Sequence, residues 1–293
     1  MQTIDGSYIY EFSSANKPIN SVKLNETFSI KTLDCYGGQL KSESDLRADF
    51  PNLKINPATG PIYIENIEKG DTISIDIKRI ELNDQGVMAT GPDTGILGDY
   101  ITESQTKILP ITDGCALLNN QIKIPINKMI GVIGVAPEDH AIPCSTPDIH
   151  GGNMDTKDIT EGSTLHLPVF HEGGLLALGD LHAAMGDGEL DGTGIEIGGE
   201  VTLQIKKNDN FKLKTPIVET DTHFMVIASA EAFNDAVRQG MLNAISLLQH
   251  KHQIAFADAY RLLSAKGDLR ISQLVNPKVT VRMALPKTVL VNL

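Results

Sequence analysis

Tryptophan is absent from the 293-residue chain, and aromatic residues make up only 5% of it. A buried core must therefore rest on Ile, Val, Leu and Met. Long apolar runs are missing too, and no segment approaches the roughly 18 uninterrupted apolar residues of a membrane-spanning helix. Basic residues are scarce, since 25 Lys and Arg against 37 Asp and Glu leave a net charge of -12. Nucleic acid and anionic membrane surfaces both demand clustered Lys and Arg, so neither is an expected partner. Three cysteines, Cys35, Cys115 and Cys144, form no CxxC pair and are too few for a disulfide framework. That usage points to a cytoplasmic setting. The opening stretch has no basic end followed by an apolar run, and no signal peptide is expected.

Several catalytic signatures are also missing. There is no GxxxxGK[ST] phosphate loop and no GxSxG nucleophile turn. Gly192-Thr-Gly194 lacks the third glycine and the following helix of a dinucleotide fingerprint. His171-Glu172-Gly-Gly-Leu175 begins like a zinc-protease motif but carries Leu where the second His belongs. The run from Asp187 to Gly192 imitates the first half of an EF-hand loop, yet its twelfth position is Gly198 rather than Glu.

What is present is mostly strand. Ile73, Ile75 and Ile77 alternate within Thr72–Leu82, the clearest strand pattern in the chain. Similar rhythms cover parts of 7–33, 130–136, 164–170, 174–182, 195–206 and 279–285. The 164–170 and 174–182 segments are expected to be neighbours joined through His171-Glu172-Gly173. Residues 83–121 break repeatedly at Gly and Pro and predict loop with short strands. The period then changes, because Ala232, Phe233, Ala236, Val237, Met241, Ala244, Ile245 and Leu248 recur at three and four. This predicts a helix with Ser229 as N-cap, and a second follows over 254–263. The expectation is an α+β fold: a β-rich sandwich or barrel-like core with a helical pair near residues 229–265, in one domain over 1–293.

The stretch from Cys144 to Glu200 holds four of the chain's eight histidines. Asp180 and His182 lie two apart, so on a strand both project from one face and could converge on a divalent ion. His150 and Asp155 flank a Gly-Gly turn and could close the shell from a loop. Imidazole with carboxylate suits Zn²⁺, with related ions as alternatives. Glu189 is placed like a general base for a metal-held water. Ordinary turns and core histidines account for the same residues singly, and structural Ca²⁺ loops without catalysis are a competing reading of Asp187–Gly192. Asp34 suits either a carboxylate at a sheet edge or an Asx-turn. Cys144 has no adjacent activating base, which favours an inert thiol over a nucleophile.

These motifs together resemble the acetamidase/formamidase family in its shorter bacterial members. The likeness rests on Thr32-Leu-Asp34-Cys, Gly134-Val-Ala-Pro137, His150-Gly-Gly-Asn153-Met-Asp155, Leu167-Pro-Val169 and Gly179-Asp180-Leu-His182-Ala-Ala-Met-Gly-Asp187-Gly-Glu189, followed by Glu196. It implies hydrolysis of a short amide to carboxylate and ammonia, a β-rich fold, homo-oligomers and a bound divalent cation. Relatives acting on cyclic amides belong to the same family. With the chemistry above, the expected metal ligands are Asp34, His150, Asp180 and His182, with Zn²⁺ preferred and Ca²⁺ second. Glu189 and Asp155 are the expected catalytic residues, and Asn153 and Glu196 the expected substrate-binding ones.

Overall fold

The computed structural model describes residues 1–50, 52, 54–209 and 212–290. The strand Thr72–Leu82 lies where its isoleucine alternation places it, with Ile73, Ile75 and Ile77 buried on one face. It is the fourth strand of a nine-stranded sheet, ordered Gln2–Ile4, Thr27–Thr32, Gly199–Lys207, Thr72–Leu82, Thr164–Pro168, Ile217–Glu219, His223–Ala230, Val279–Pro286 and Asp268–Gln273. The second large sheet has 11 strands, with Leu176–His182 near its middle. Ile75, Leu165 and Leu203 of the first sheet share one apolar core with Ile62, Ile133 and Leu178 of the second. The architecture is a β-sandwich within an α+β fold, built from aliphatic side chains as the lack of tryptophan requires.

Two helices cover the far end of the nine-stranded sheet. Helix α1 (Phe233–His252) and helix α2 (Phe256–Lys266) bury Ala244, Ile245, Leu248, Ala259 and Leu263 against Val226, Met283 and Leu285. Helix α1 begins later than its expected cap. Ser229 remains in the strand His223–Ala230, where its hydroxyl shares a 2.9 Å hydrogen bond with Thr280 Oγ1. Cross-strand pairing thus outcompetes capping there.

Three further expectations are corrected. Thr164–Pro168 and Leu176–His182 are not neighbours. The first pairs with Thr72–Leu82 and Ile217–Glu219, and the second with Met129–Gly134, Glu196–Ile197 and Ala58–Ile64. The segment between them carries the chain from one sheet to the other. The 195–206 strand likewise divides, into Glu196–Ile197 of one sheet and Gly199–Lys207 of the other. Residues 83–121 are more regular than their glycines suggest, with Gln85–Thr90 and Gln105–Thr112 forming an antiparallel pair.

The site described below sits where Leu176–His182 changes partners along one edge. Leu176–Gly179 pair with Ile62–Ala58, whereas Leu181 and His182 pair with Ile197 and Glu196. Asp180 falls at the changeover, and its φ of +59° marks the break in regular strand geometry. Because the sandwich supports that edge, Ile75→Ala should cost about 2–5 kcal/mol in denaturant unfolding, whereas Leu242→Ala, at an exposed position, should change stability by no more than about 0.5 kcal/mol.

Candidate active site

Asp180 and His182 share a face, and three carboxylates close around the histidine ring. His182 Nε2 lies 3.2 Å from Glu196 Oε1, 3.5 Å from Asp180 Oδ1 and 3.8 Å from Asp155 Oδ1. Asp155, His182 and Glu189 offer donor atoms within 4.8 Å of one another, and so do Cys35, Asp180 and Glu196. All six side chains are buried. Asp155 Oδ1, Asp180 Oδ1, Glu196 Oε2 and both nitrogens of His182 have no hydrogen-bond partner among the described residues. Buried polar atoms are normally paired, so a group of convergent orphans calls for a ligand.

A divalent cation fits them. Tetrahedral ligands at ordinary zinc distances stand about 3.3 Å apart, and the spacings around Nε2 straddle that value. Calcium takes six to eight oxygen ligands at longer distances, and an imidazole at the centre suits it poorly.

The rest of the carboxylate atoms are held by neighbours. Asn56 Nδ2 donates to Asp180 Oδ2 at 2.8 Å, and Asn276 Nδ2 donates to Asp155 Oδ2 at 2.6 Å. The Gly194 amide donates to Glu196 Oε1 at 2.9 Å. Asn56, Asp155, Asp180 and Glu189 all have left-handed backbone, with φ of +58°, +40°, +59° and +49°. Such backbone is uncommon outside glycine and clusters at functional sites. Two glycines give the room. A Cβ at Gly131 would lie 2.5 Å from Asp155 Oδ1 and 2.9 Å from Asp180 Oδ2, and one at Gly194 would lie 2.6 Å from His182 Nδ1.

Electrostatics follow from the crowding. Burial pushes Glu189 well above the usual carboxylate range, and the Asp155 charge adds to it. Burial likewise raises Asp155 to about 6 and Glu196 to about 8. Burial alone would lower the His182 pKa, but Glu196 and Asp180 raise it well above its ordinary value. Burial alone would raise Asp180, yet His182 holds it low. One cleft of about 300 Å³ opens onto this cluster, lined by Asn56, Asn153, Asp180, Glu189, Glu196 and Asn276 among others.

The structure therefore brings together Asp155, Asp180, His182, Glu189 and Glu196, with Asn153 on the wall. It does not bring Asp34 and His150 into the donor groups. Asp34 Oδ1 accepts the amides of Tyr36 and Gly38 at 2.8 and 3.0 Å, an Asx-turn that occupies the carboxylate locally. The same turn delivers its neighbour, Cys35, to Asp180 and Glu196 instead. His150 packs edge-on against Phe12 with ring centroids 5.0 Å apart, and burial lowers its pKa to about 4. The calcium-loop reading also fails. Asp187 pairs with Lys157 and Arg282, Asp191 accepts from Thr90, and Glu189 faces the cleft, so the three carboxylates serve different partners. Cys144 is buried and its thiol pKa is pushed up, by burial first and then by Glu11 and Asp180. It is no ready nucleophile.

Comparison with known proteins identifies the family. The family model for the acetamidase/formamidase family matches residues 14–146 and 138–291. The chain belongs to the acetamidase/formamidase family. A solved acetamidase from Bacillus halodurans is 40% identical, covers 98% of this chain and 97% of its own, and superposes with a TM-score of 0.95. The crystal structure of a protein described as a predicted acetamidase/formamidase, from Thermoanaerobacter tengcongensis, is 42% identical over 97% of this chain and 94% of its own, with a TM-score of 0.93. A formamidase from Methylophilus methylotrophus is 26% identical across 79% of this chain and 76% of its own length.

Sequence reasoning missed Cys35, Asn56 and Asn276 in this family member. Both asparagines precede proline, in Asn56-Pro57 and Asn276-Pro277, and that dipeptide marks a turn. Nothing local says that either turn reaches a carboxylate more than 100 residues away.

Two outcomes follow from the packing. Gly131→Ala should keep its secondary structure by circular dichroism but bind zinc about 10- to 100-fold more weakly; wild-type affinity in titration would show that the close approach is unimportant. For His150, protonation is opposed in the folded state, so its contribution to stability is complete above pH 6.5 and is lost as pH falls toward about 4. Stability curves of wild type and His150→Gln should therefore diverge over that window, with the wild type losing more on acidification.

Proposed function

We propose that this cleft hydrolyses a short linear amide, of the formamide or acetamide type, to a carboxylate and ammonia with metal-activated water. The observation that supports it most is the set of buried, unpartnered donor atoms on Asp155, Asp180, His182 and Glu196 beside Glu189. Those four side chains would hold one divalent ion, zinc by donor type and spacing, which supplies Lewis-acid polarisation of the amide carbonyl and lowers the pKa of water. Asp155 and Glu196 thus join the metal-holding set rather than acting as catalytic and substrate-binding groups, while Asp34 and His150 leave it.

Glu189 is the general base. It faces the cleft and removes the proton from the attacking water, then returns it to the departing nitrogen. A carboxylate whose pKa is raised by burial and by Asp155 suits both halves of that task, because it holds the proton between them. Asn153 Oδ1 is buried without a partner on the cleft wall and is placed to accept from the substrate –NH₂. A volume near the lower end of the roughly 300–1,000 Å³ range of ligand pockets suits a small substrate.

A cytoplasmic, self-associating protein with neither nucleic acid nor membrane as partner goes with this reading. The charge of -12 supports the exclusions, and exposed Ile96, Leu97 and Tyr100 support the association. No helix among the described residues is long and apolar enough to cross a membrane.

Ammonia release from formamide and acetamide tests the proposal. Turnover should vanish on chelation and return with Zn²⁺ in preference to Ca²⁺, and Glu189→Gln should lower kcat by about 10²- to 10⁴-fold. Undiminished turnover in both the chelated enzyme and the variant would sink it.

A further inference from the structure

Arg282 is an anomaly in its strand. Thr280 aside, the run Val279–Pro286 is apolar at its buried positions, yet it carries an arginine with no exposed surface, first in size among the fully buried side chains. Arginine does not shed its proton in proteins, so a buried guanidinium must be met by charge on several sides.

Its partners are specific. Nε lies 2.6 Å from Asp158 Oδ2, Nη2 donates to Asp187 Oδ1 at 2.8 Å, and Nη1 donates to the Ile271 carbonyl at 2.7 Å. Asp158 stands three residues after Asp155, and Asp187 stands two residues before Glu189. One guanidinium thus ties both arms of the site to the strand Asp268–Gln273. Nearby bonds fasten the same junction. Thr156 Oγ1 donates to Ser272 Oγ at 2.8 Å, the Gly188 amide donates to the Ser272 carbonyl at 2.9 Å, and the Leu274 amide donates back to the Gly188 carbonyl at 3.1 Å.

We infer that Arg282, acting through Asp187, is the positioning residue that aims Glu189 into the cleft. The inference rests on Glu189 being the base. Among the described residues Arg282 belongs to neither donor group and does not line the cleft, and its influence passes through the backbone of residues 187–189. The residue two positions before a base sets where its Cα lies, and a misplacement of about 1 Å at a reacting group can cost about 100-fold in rate. The planar fork is what suits arginine here, because it faces Asp158 and Asp187 with different nitrogens at once.

The test uses full-length, zinc-loaded protein and two variants, Asp187→Asn and Asp187→Glu. The second keeps the charge while moving the carboxylate by one methylene, and it carries the test should the first fail to fold. Zinc per chain and KM for acetamide should stay within about threefold of wild type, while kcat falls about 10- to 100-fold. The solvent deuterium isotope effect on kcat should rise, since proton transfer to a badly aimed Glu189 becomes limiting. A kcat within twofold of wild type, or a loss confined to zinc content or KM, overturns the positioning role. Glu189→Gln measured alongside separates the two failures. If it is inactive while folded Asp187 variants keep full activity, only the positioning role falls; if it is active, the base role falls and takes this inference with it.

Discussion

Four carboxylates and one imidazole crowd into a space from which water is largely excluded, and this repulsion is the constraint that the surrounding structure answers. Two like charges at 4 Å interact by about 4 kcal/mol at an effective dielectric near 20, so four cannot all remain ionised and unpaired. Without a cation the cluster must retain protons, and the raised pKa values of Asp155, Glu189 and Glu196 record that. A divalent ion relieves the same repulsion by displacing those protons. Asn56, Asn276 and the Gly194 amide are then best understood as neutral donors that hold the carboxylates without neutralising them. Charged partners in those positions would satisfy the acids outright and weaken their hold on an ion.

The fold supplies this crowding by breaking its own regularity at one point. A strand with one continuous neighbour on that edge would pair Asp180 into the ladder. Here Ala58–Ile64 ends and Glu196–Ile197 begins beside it, so Asp180 takes a left-handed conformation opposite Gly131. The third wall comes from the C-terminal hairpin, whose turn is fixed by buried Gln273. Its Oε1 accepts the amides of Val275 and Asn276, each at 2.9 Å. Asn276 therefore meets Asp155 as a rigid donor. Left-handed non-glycine residues each cost about 1–3 kcal/mol, and the aliphatic sandwich beneath them offsets that strain.

Local patterns showed what local physics controls. The isoleucine alternation of Thr72–Leu82 follows from strand geometry, and the two-residue spacing of Asp180 and His182 brings the pair together even across the left-handed break at Asp180; both are legible in the sequence. Family resemblance added the order of the motifs. Asp34 was harder, because an aspartate before two glycines can serve a ligand or its own turn, and only the amides of Tyr36 and Gly38 decide between them. His150 lies outside the two donor groups although both its ring nitrogens are buried without a hydrogen-bond partner among the described residues, and motif membership alone does not say what meets them. The contacts of Asn56 with Asp180 and of Asn276 with Asp155 span 124 and 121 residues. No periodicity carries information over that range, so these partners become visible only once the sheets are assembled.

The acidity of the cleft also bears on how the substrate and product of the proposed reaction are received. A short amide is neutral and enters a wall lined by Asp93, Asp180, Glu189 and Glu196 without electrostatic opposition. The carboxylate it becomes carries a negative charge and faces those acids at close range. Arg47 is the cation among the described lining residues, and it is exposed rather than set among the buried acids. A divalent ion in the donor cluster would offset part of that repulsion, so the charges that would favour release of an anionic product are the acids the ion does not hold, Asp93 and Glu189, and the exposed Arg47. The strongly acidic composition is, on this view, suited to chemistry that takes up a neutral molecule and must let go of an anion.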